Sequence, residues 1–284
     1  MKPNFFIAGT AKSGTTSLYQ YLAQHPQVGM SSVKEPNFFT TWEPDDLDSL
    51  ERYYHLFDNT SGALAIGEAS GYFTQNGAIQ RIYRVLPESR FVVVLRDPSD
   101  RLFSHFIFHV QIGKINHKTY KMICLDEKEL ASYMLTRPQS TIGLYYRHVK
   151  KFLDVFGRDH LKIVWYEDFC SEPLCAVDDV FGFIGVDPTF KPDLSMIHNK
   201  TGLPVNRFAN HIDSFLRPSH HVIKSALRRV PQKMKEKARR IIDSSFYDKP
   251  AMDPALRSRL VDFYRDDINK LERLVEKDLS HWLN

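Results

Sequence analysis

Short, mainly apolar runs, each followed by a stretch with apolar residues at helical spacing, set the rhythm of much of this chain. Phe5-Phe6-Ile7-Ala8, Ala63-Leu64-Ala65-Ile66, Phe91-Val92-Val93-Val94-Leu95 and Leu161-Lys162-Ile163-Val164-Trp165 have the length and character of strands buried on both faces. The helical stretches run from Thr16 to Ala23, stopping near His25-Pro26, and from Ala78 to Leu86, stopping at Pro87. A third runs from Pro98 to Val110, with the proline in the first turn where its missing N–H costs nothing. Leu144 to Phe156 is amphipathic, ends at Gly157 and feeds the last strand. This alternation predicts an α/β fold with a mainly parallel central sheet covered on both faces.

Beyond the strands the pattern changes. Residues 187–222 are rich in Pro, Asn, His and Gly, which predicts a long irregular loop of the kind that covers a ligand. Lys224 to Ile242 and Pro254 to Trp282 predict a helical C-terminal part, about 223–284, with solvated Lys/Arg faces. A single domain over 1–284 accommodates all of it.

Composition narrows the classes. With 43% hydrophobic and 25% charged residues the 284-residue chain is an ordinary globular protein with little room for disorder. The net charge of +4 suits an anionic ligand and falls short of a nucleic-acid-binding signature. Cys124, Cys170 and Cys175 lack metal-ligand spacing, and free structural thiols in a reducing compartment are expected. The run Phe5 to Ala8 is too short for a secretory leader and no stretch is long enough to span a membrane, so a cytoplasmic protein is expected. Oligomeric state is open.

The candidate chemistry begins at Phe5 to Ser17, F-F-I-A-G-T-A-K-S-G-T-T-S. A buried strand, a glycine-bounded loop and a hydroxyl-rich first helical turn converge backbone N–H groups on one point, which is an anion site. Gly9 and Gly14 have the spacing of a nucleotide-hydrolase loop, but Thr15 follows where that loop has its lysine, and the lysine sits inside the loop as Lys12. The ammonium is thereby moved from the terminal phosphates of a triphosphate toward the bridging oxygen of a shorter, diphosphate-like group. Arg96, at the end of the third strand, would repel a metal and attract a second phosphate; Asp97 beside it is the residue a metal reading would use.

The residues A-K-S-G-T-T-S-L-Y-Q-Y-L followed by H-P resemble the 5′-phosphosulfate loop of the sulfotransferases that use 3′-phosphoadenosine 5′-phosphosulfate (PAPS), closest to the heparan-sulfate-like and bacterial branch. Lys34-Glu35-Pro36-Asn37-Phe38-Phe39, the run Phe91 to Arg101 with Ser104, and Asp278-Leu279-Ser280-His281-Trp282 are similar to further elements of that branch, in order. The resemblance implies a three-layer α/β sandwich related to nucleotide kinases, PAPS as donor, adenosine 3′,5′-bisphosphate (PAP) as product, and no metal. It also implies roles. Lys12 would bind the leaving-group side of the sulfate, with Ser13, Gly14, Thr15, Thr16 and Ser17 donating to the 5′-phosphate and sulfuryl oxygens. Arg96 and Ser104 would hold the 3′-phosphate, a task that also suits the fork of a guanidinium. Lys200 and Arg207, in the loop after His198-Asn199, would close over the nucleotide.

For the general base, Glu35 matches a glutamate that serves so in some relatives, and apolar Phe38 and Phe39 beside it would raise its pKa. Glu68, at the end of the second strand, is a candidate for acceptor binding or a second base, with Tyr72 near it. His105, His109, His198, His220 and His221 are the histidine alternatives. Polysaccharide-modifying relatives tend to have a lysine where Ala69 stands here, and a proline of that pattern is missing. The expected activity is therefore metal-independent in-line sulfuryl transfer to a hydroxyl or amine of a small intracellular metabolite. A carbohydrate acceptor, a Mg²⁺-dependent kinase on the same loop, and a non-catalytic nucleotide binder are the alternatives.

Overall fold

A computed structural model describes residues 1–195, 203–204, 247–248 and 250–284. Five parallel strands, β1 (Phe5–Gly9), β2 (Val28–Met30), β3 (Ala65–Ala69), β4 (Arg90–Leu95) and β5 (Leu161–Trp165), form one sheet in the order β2-β3-β1-β4-β5. The helices are α1 (Thr15–Leu22), α2 (Leu47–Tyr54), α3 (Ala78–Val85), α4 (Pro98–Gln111), α5 (His117–Ile123), α6 (Glu127–Leu135), α7 (Pro138–Thr141), α8 (Tyr145–Phe156), α9 (Tyr166–Ser171), α10 (Pro173–Ile184) and α11 (Pro254–Val275). Leu203–Pro204 also pairs antiparallel with Tyr247–Asp248. Among the described residues no helix is long and apolar enough to cross a membrane.

The three-layer build follows from the period of two along each apolar run. Phe6, Phe91 and Val93 turn to one face, where they pack with α3, α4, α8 and α11 residues such as Ile82, Phe106, Phe152 and Tyr264. Phe5, Ile7, Val92 and Val94 turn to the other, against Leu18, Leu22, Val180 and Phe181 of α1 and α10. The runs Phe5 to Ala8 and Phe91 to Leu95 are apolar throughout because both faces are covered. The α/β architecture expected from the strand-helix alternation is the one observed.

Two boundaries differ from the pattern. The second strand covers Ala65–Ala69 rather than starting at Ala63; Leu64 is 59% exposed, and the strand continues through Gly67-Glu68, where hydrophobicity gives no warning of burial. Gly67 is required by close approach, since a Cβ there would lie 2.4 Å from the Phe5 ring. The long C-terminal helix stops at Val275, with Glu276 left-handed at φ 56°, and Ser280–Leu283 forms a separate turn. That turn docks the buried Trp282 between Tyr145 and Trp165, with ring centroids 6.1 and 5.7 Å away. The three cysteines are unpaired, in keeping with the expected free thiols, and all three are exposed. Of the expected loop only residues 187–195 and 203–204 are described, and the expected helix Lys224 to Ile242 lies outside the described residues.

Candidate functional site

The pairing of β1 with β4 slips one residue between Ile7 and Gly9, and the chain leaves the sheet there. Thr10 fastens the loop that follows. Its N–H and hydroxyl both donate to the carbonyl of Val94, at 3.1 and 2.9 Å, and its Oγ lies 2.8 Å from Ser13 Oγ. Ser13 is fully buried, and its N–H donates to the Thr10 carbonyl. Its hydroxyl thus stiffens the loop from within, a different task from the expected donation to the anion. Gly14 closes the loop in the left-handed region at φ 86°, where a side chain would be strained and a Cβ would press on Phe169 at 3.2 Å.

Helix α1 then begins with no side-chain cap, as do α3, α7, α8, α9 and α10, while Asp46, Asp97, Asn116, Asp126 and Asp253 cap α2, α4, α5, α6 and α11. The amides of Thr15, Thr16 and Ser17 in its first turn, with the helix dipole behind them, favour negative charge at this end.

Two cations border that end. Lys12 is left-handed at φ 71° and half-buried, with its ammonium 4.0 Å from the centre of the Phe108 ring. Burial first, and then the neighbouring Arg96, push its pKa down to about 8. Arg96 Nη1 donates to the Lys12 carbonyl at 3.2 Å, its guanidinium lies over Tyr166 at 4.4 Å, and Asp100 stands 3.9 Å away. Asp97 is committed elsewhere. One oxygen caps α4 through the amides of Ser99 and Asp100, and the other takes Arg257 at 2.7 Å. The metal reading therefore loses its main ligand to structural partners. Ser104 is buried on α4, two turns into the helix that follows Arg96.

His105 and His109 share this face of α4, their Nε2 atoms 3.0 Å apart. Burial and then Arg101, His109, Lys12 and Lys114 push His105 down to about 3; His109 is also lowered, by burial, Lys114, Arg137 and Lys12. Both are neutral imidazoles near neutral pH. Lys200, Arg207, His198, His220 and His221 lie outside the described residues.

Glu35 is linked to the start of α1 through Lys34. Its carboxylate accepts from Lys34 Nζ at 2.9 Å, and the same ammonium reaches Thr16 Oγ1 at 3.3 Å, tying Glu35 to α1. The side chain is 58% exposed, unlike the apolar enclosure expected from its neighbours. Phe38 instead stacks on Tyr53 at 4.5 Å, and Phe39 packs on Trp42 and Tyr53. Glu68 and Tyr72, expected to contact an acceptor, are both fully buried and bonded to each other behind the loop. Sequence reasoning missed Phe108 and Tyr166, the rings under the two cations. Tyr166 directly follows β5, at the strand ends where ligands of such sheets bind, and that position was the available signal.

Residues 2–274 match the family model described as "Sulfotransferase domain". The chain belongs to the sulfotransferase family. A solved sulfotransferase from Alicyclobacillus acidocaldarius superimposes with a TM-score of 0.69 at 29% identity, covering 100% of both chains. Membrane-associated sulfotransferase kil1 of Dictyostelium discoideum is 32% identical over 115 residues, 40% of this chain and 24% of that protein. Carbohydrate sulfotransferase 15 of Mus musculus is 24% identical over 287 residues, 80% of this chain and 51% of the relative. The chain thus spans between about a quarter and a half of these curated relatives' length.

Proposed function

We propose that this sulfotransferase-family chain moves the sulfuryl group of PAPS to a hydroxyl or amine by in-line displacement, with PAP as product. The observation that supports the reading is the Lys12–Arg96 junction, two cations joined through a backbone carbonyl at the start of α1; in this reading each would meet one end of a doubly anionic nucleotide. The α1 amides would take the 5′-phosphate and sulfuryl oxygens, and Arg96 with Ser104 the 3′-phosphate. Lys200 and Arg207 would close over the nucleotide, as the resemblance implies.

The step balances simply. A new S–O or S–N bond forms on the acceptor as the bond from sulfur to the 5′-phosphate oxygen breaks. The acceptor proton passes to Glu35, which is exposed and oriented by Lys34. Charge appearing on the leaving oxygen meets the Lys12 ammonium, and two fixed cations plus helix amides supply the stabilisation that a kinase draws from Mg²⁺.

A small metabolite is our reading of the acceptor, supported by Ala69 in the place where a lysine is common among polysaccharide-modifying relatives. A carbohydrate acceptor is the second reading, favoured by the match to carbohydrate sulfotransferase 15. Incubating the protein with sulfur-labelled PAPS and a panel of small alcohols, phenols, amines and sulfatable oligosaccharides tests both. Labelled product that forms equally well in EDTA is the expected result; no transfer to any acceptor, or transfer that needs Mg²⁺, would overturn the proposal.

A further inference from the structure

Glu68 is fully buried, and both oxygens of its carboxylate have hydrogen-bond partners. Oε1 accepts from Tyr53 OH at 2.7 Å and Tyr72 OH at 2.8 Å, and Oε2 accepts from Ser70 Oγ at 2.6 Å. Burial pushes the Glu68 carboxyl up, and the hydrogen bonds from Ser70, Tyr53 and Tyr72 oppose that rise by favouring the charged form. An ionised carboxylate only accepts, so each hydroxyl spends its proton on Glu68 and turns its lone pairs outward. Those lone pairs meet backbone amides of the Glu35 segment. Ser70 Oγ accepts the N–H of Asn37 at 3.0 Å, and Tyr72 OH accepts the N–H of Phe39 at 3.4 Å. Tyr53, the third donor, stacks on Phe38 at 4.5 Å with the ring planes 11° apart.

That segment needs holding. Glu35 and Asn37 both sit in the left-handed region, at φ 57° and 52°, which asparagine enters readily but a glutamate occupies at a cost unless its surroundings hold it there. Asn37 Nδ2 bridges back to the Glu35 carbonyl at 2.8 Å, so fixing Asn37 fixes Glu35. We infer that Glu68 is a positioning residue for the reaction, whose buried negative charge sets the proton direction of Ser70 and Tyr72 and so locks the loop that presents Glu35. This rests on Glu35 being the base, while the lock itself can be read without turnover.

Glu68→Gln keeps the shape and removes the charge. Hydrogen exchange at the amides of Asn37 and Phe39 should quicken by about tenfold, with β1 and α1 unchanged. PAP affinity and donor KM should stay within about twofold while kcat falls by roughly 10- to 100-fold, the mark of a displaced group rather than a lost binding site. Ser70→Ala should release Asn37 alone, and adding it to Glu68→Gln should cost little more; it also reads the Asn37 arm should the Gln variant fail to fold. Unchanged exchange at both amides overturns the inference. So does parallel loosening of the phosphate loop with loss of PAP binding, which would make Glu68 a core residue only. If Glu35→Gln leaves transfer intact, the base assignment fails, while exchange at Asn37 and Phe39 still decides the role of Glu68.

Discussion

Lys12 is held where a lysine is uncomfortable: half-buried, on an aromatic face, with Arg96 bonded to its own carbonyl. Its pKa of about 8 against an ordinary 10.5 corresponds to roughly 3 kcal/mol of unfavourable charging in the ligand-free protein. Two outcomes follow with opposite signs. Lys12→Met should abolish transfer, by about 10²-fold or more, through loss of the cation at the leaving oxygen. The same variant should melt a few degrees higher without ligand, because it removes a desolvated cation. A melting point that drops with activity would mean that Lys12 supports the fold instead. The pH dependence has a definite direction. Between about 8 and 10.5 the unfolded chain binds the Lys12 proton and the folded chain does not, so this group's contribution to stability rises with pH over that window. Donor affinity should do the reverse, falling as pH rises above about 8, and Lys12→Arg should remove that fall. Titrating PAP binding from pH 6 to 10 in both proteins checks it. The lysine was legible in the sequence as the odd member of a glycine loop. Phe108, its ring partner, was not, because nothing in a helix sequence says which face meets a loop ninety-odd positions earlier.

At the scale of elements, α4 and α11 show what the sequence could and could not supply. The start of α4 was readable from Pro98 alone, and the observed helix begins there, capped by Asp97. The partner of that cap was unreadable. Arg257, from a helix more than 150 residues downstream, binds Asp97 at 2.7 Å and Asp100 at 3.3 Å, fastening α11 to the turn that carries Arg96. Burial pushes the Asp97 carboxyl up, and the Arg257 bonds oppose that rise. Arg257→Ala should destabilise the protein by about 2–4 kcal/mol at pH 7, since it leaves a buried carboxylate unpaired. Removing the guanidinium lifts the carboxyl further, so the loss should shrink as pH falls toward 5 and Asp97 takes up a proton. Denaturant titrations at the two pH values test this; a loss that is the same at both would rule the ion pair out as the cause. The shifted boundary of β3 has the same origin. Glu68 reads as a polar stop on any hydrophobicity pattern, and three hydroxyls from Tyr53, Ser70 and Tyr72, none identifiable as its partners beforehand, make it a strand residue.

For the whole molecule, the two proposed anion grips hang from different strands of one sheet, the glycine-bounded loop from β1 and Arg96 from the end of β4. Their spacing is set by the β1–β4 pairing and by the Thr10 bonds to Val94, with Phe5, Ile7, Val92 and Val94 buried on one face and Phe6, Phe91 and Val93 on the other. A nucleotide that reaches both ends should therefore stabilise the fold more than one that reaches a single end. At a hundred times its dissociation constant PAP should add about 2.7 kcal/mol, a rise in melting temperature on the order of 4 °C for a chain of this length. Adenosine 5′-phosphosulfate at the same concentration, lacking the 3′-phosphate, should add clearly less. Arg96→Met should bring the two ligands to the same small shift while leaving the sheet folded. Thermal unfolding with each nucleotide, in EDTA and again in Mg²⁺, gives the answer directly. A larger shift from ATP with Mg²⁺ than from PAP would place the second anion elsewhere and undo the assignment of Arg96. A shift from PAP that survives Arg96→Met would move the 3′-phosphate to a different cation.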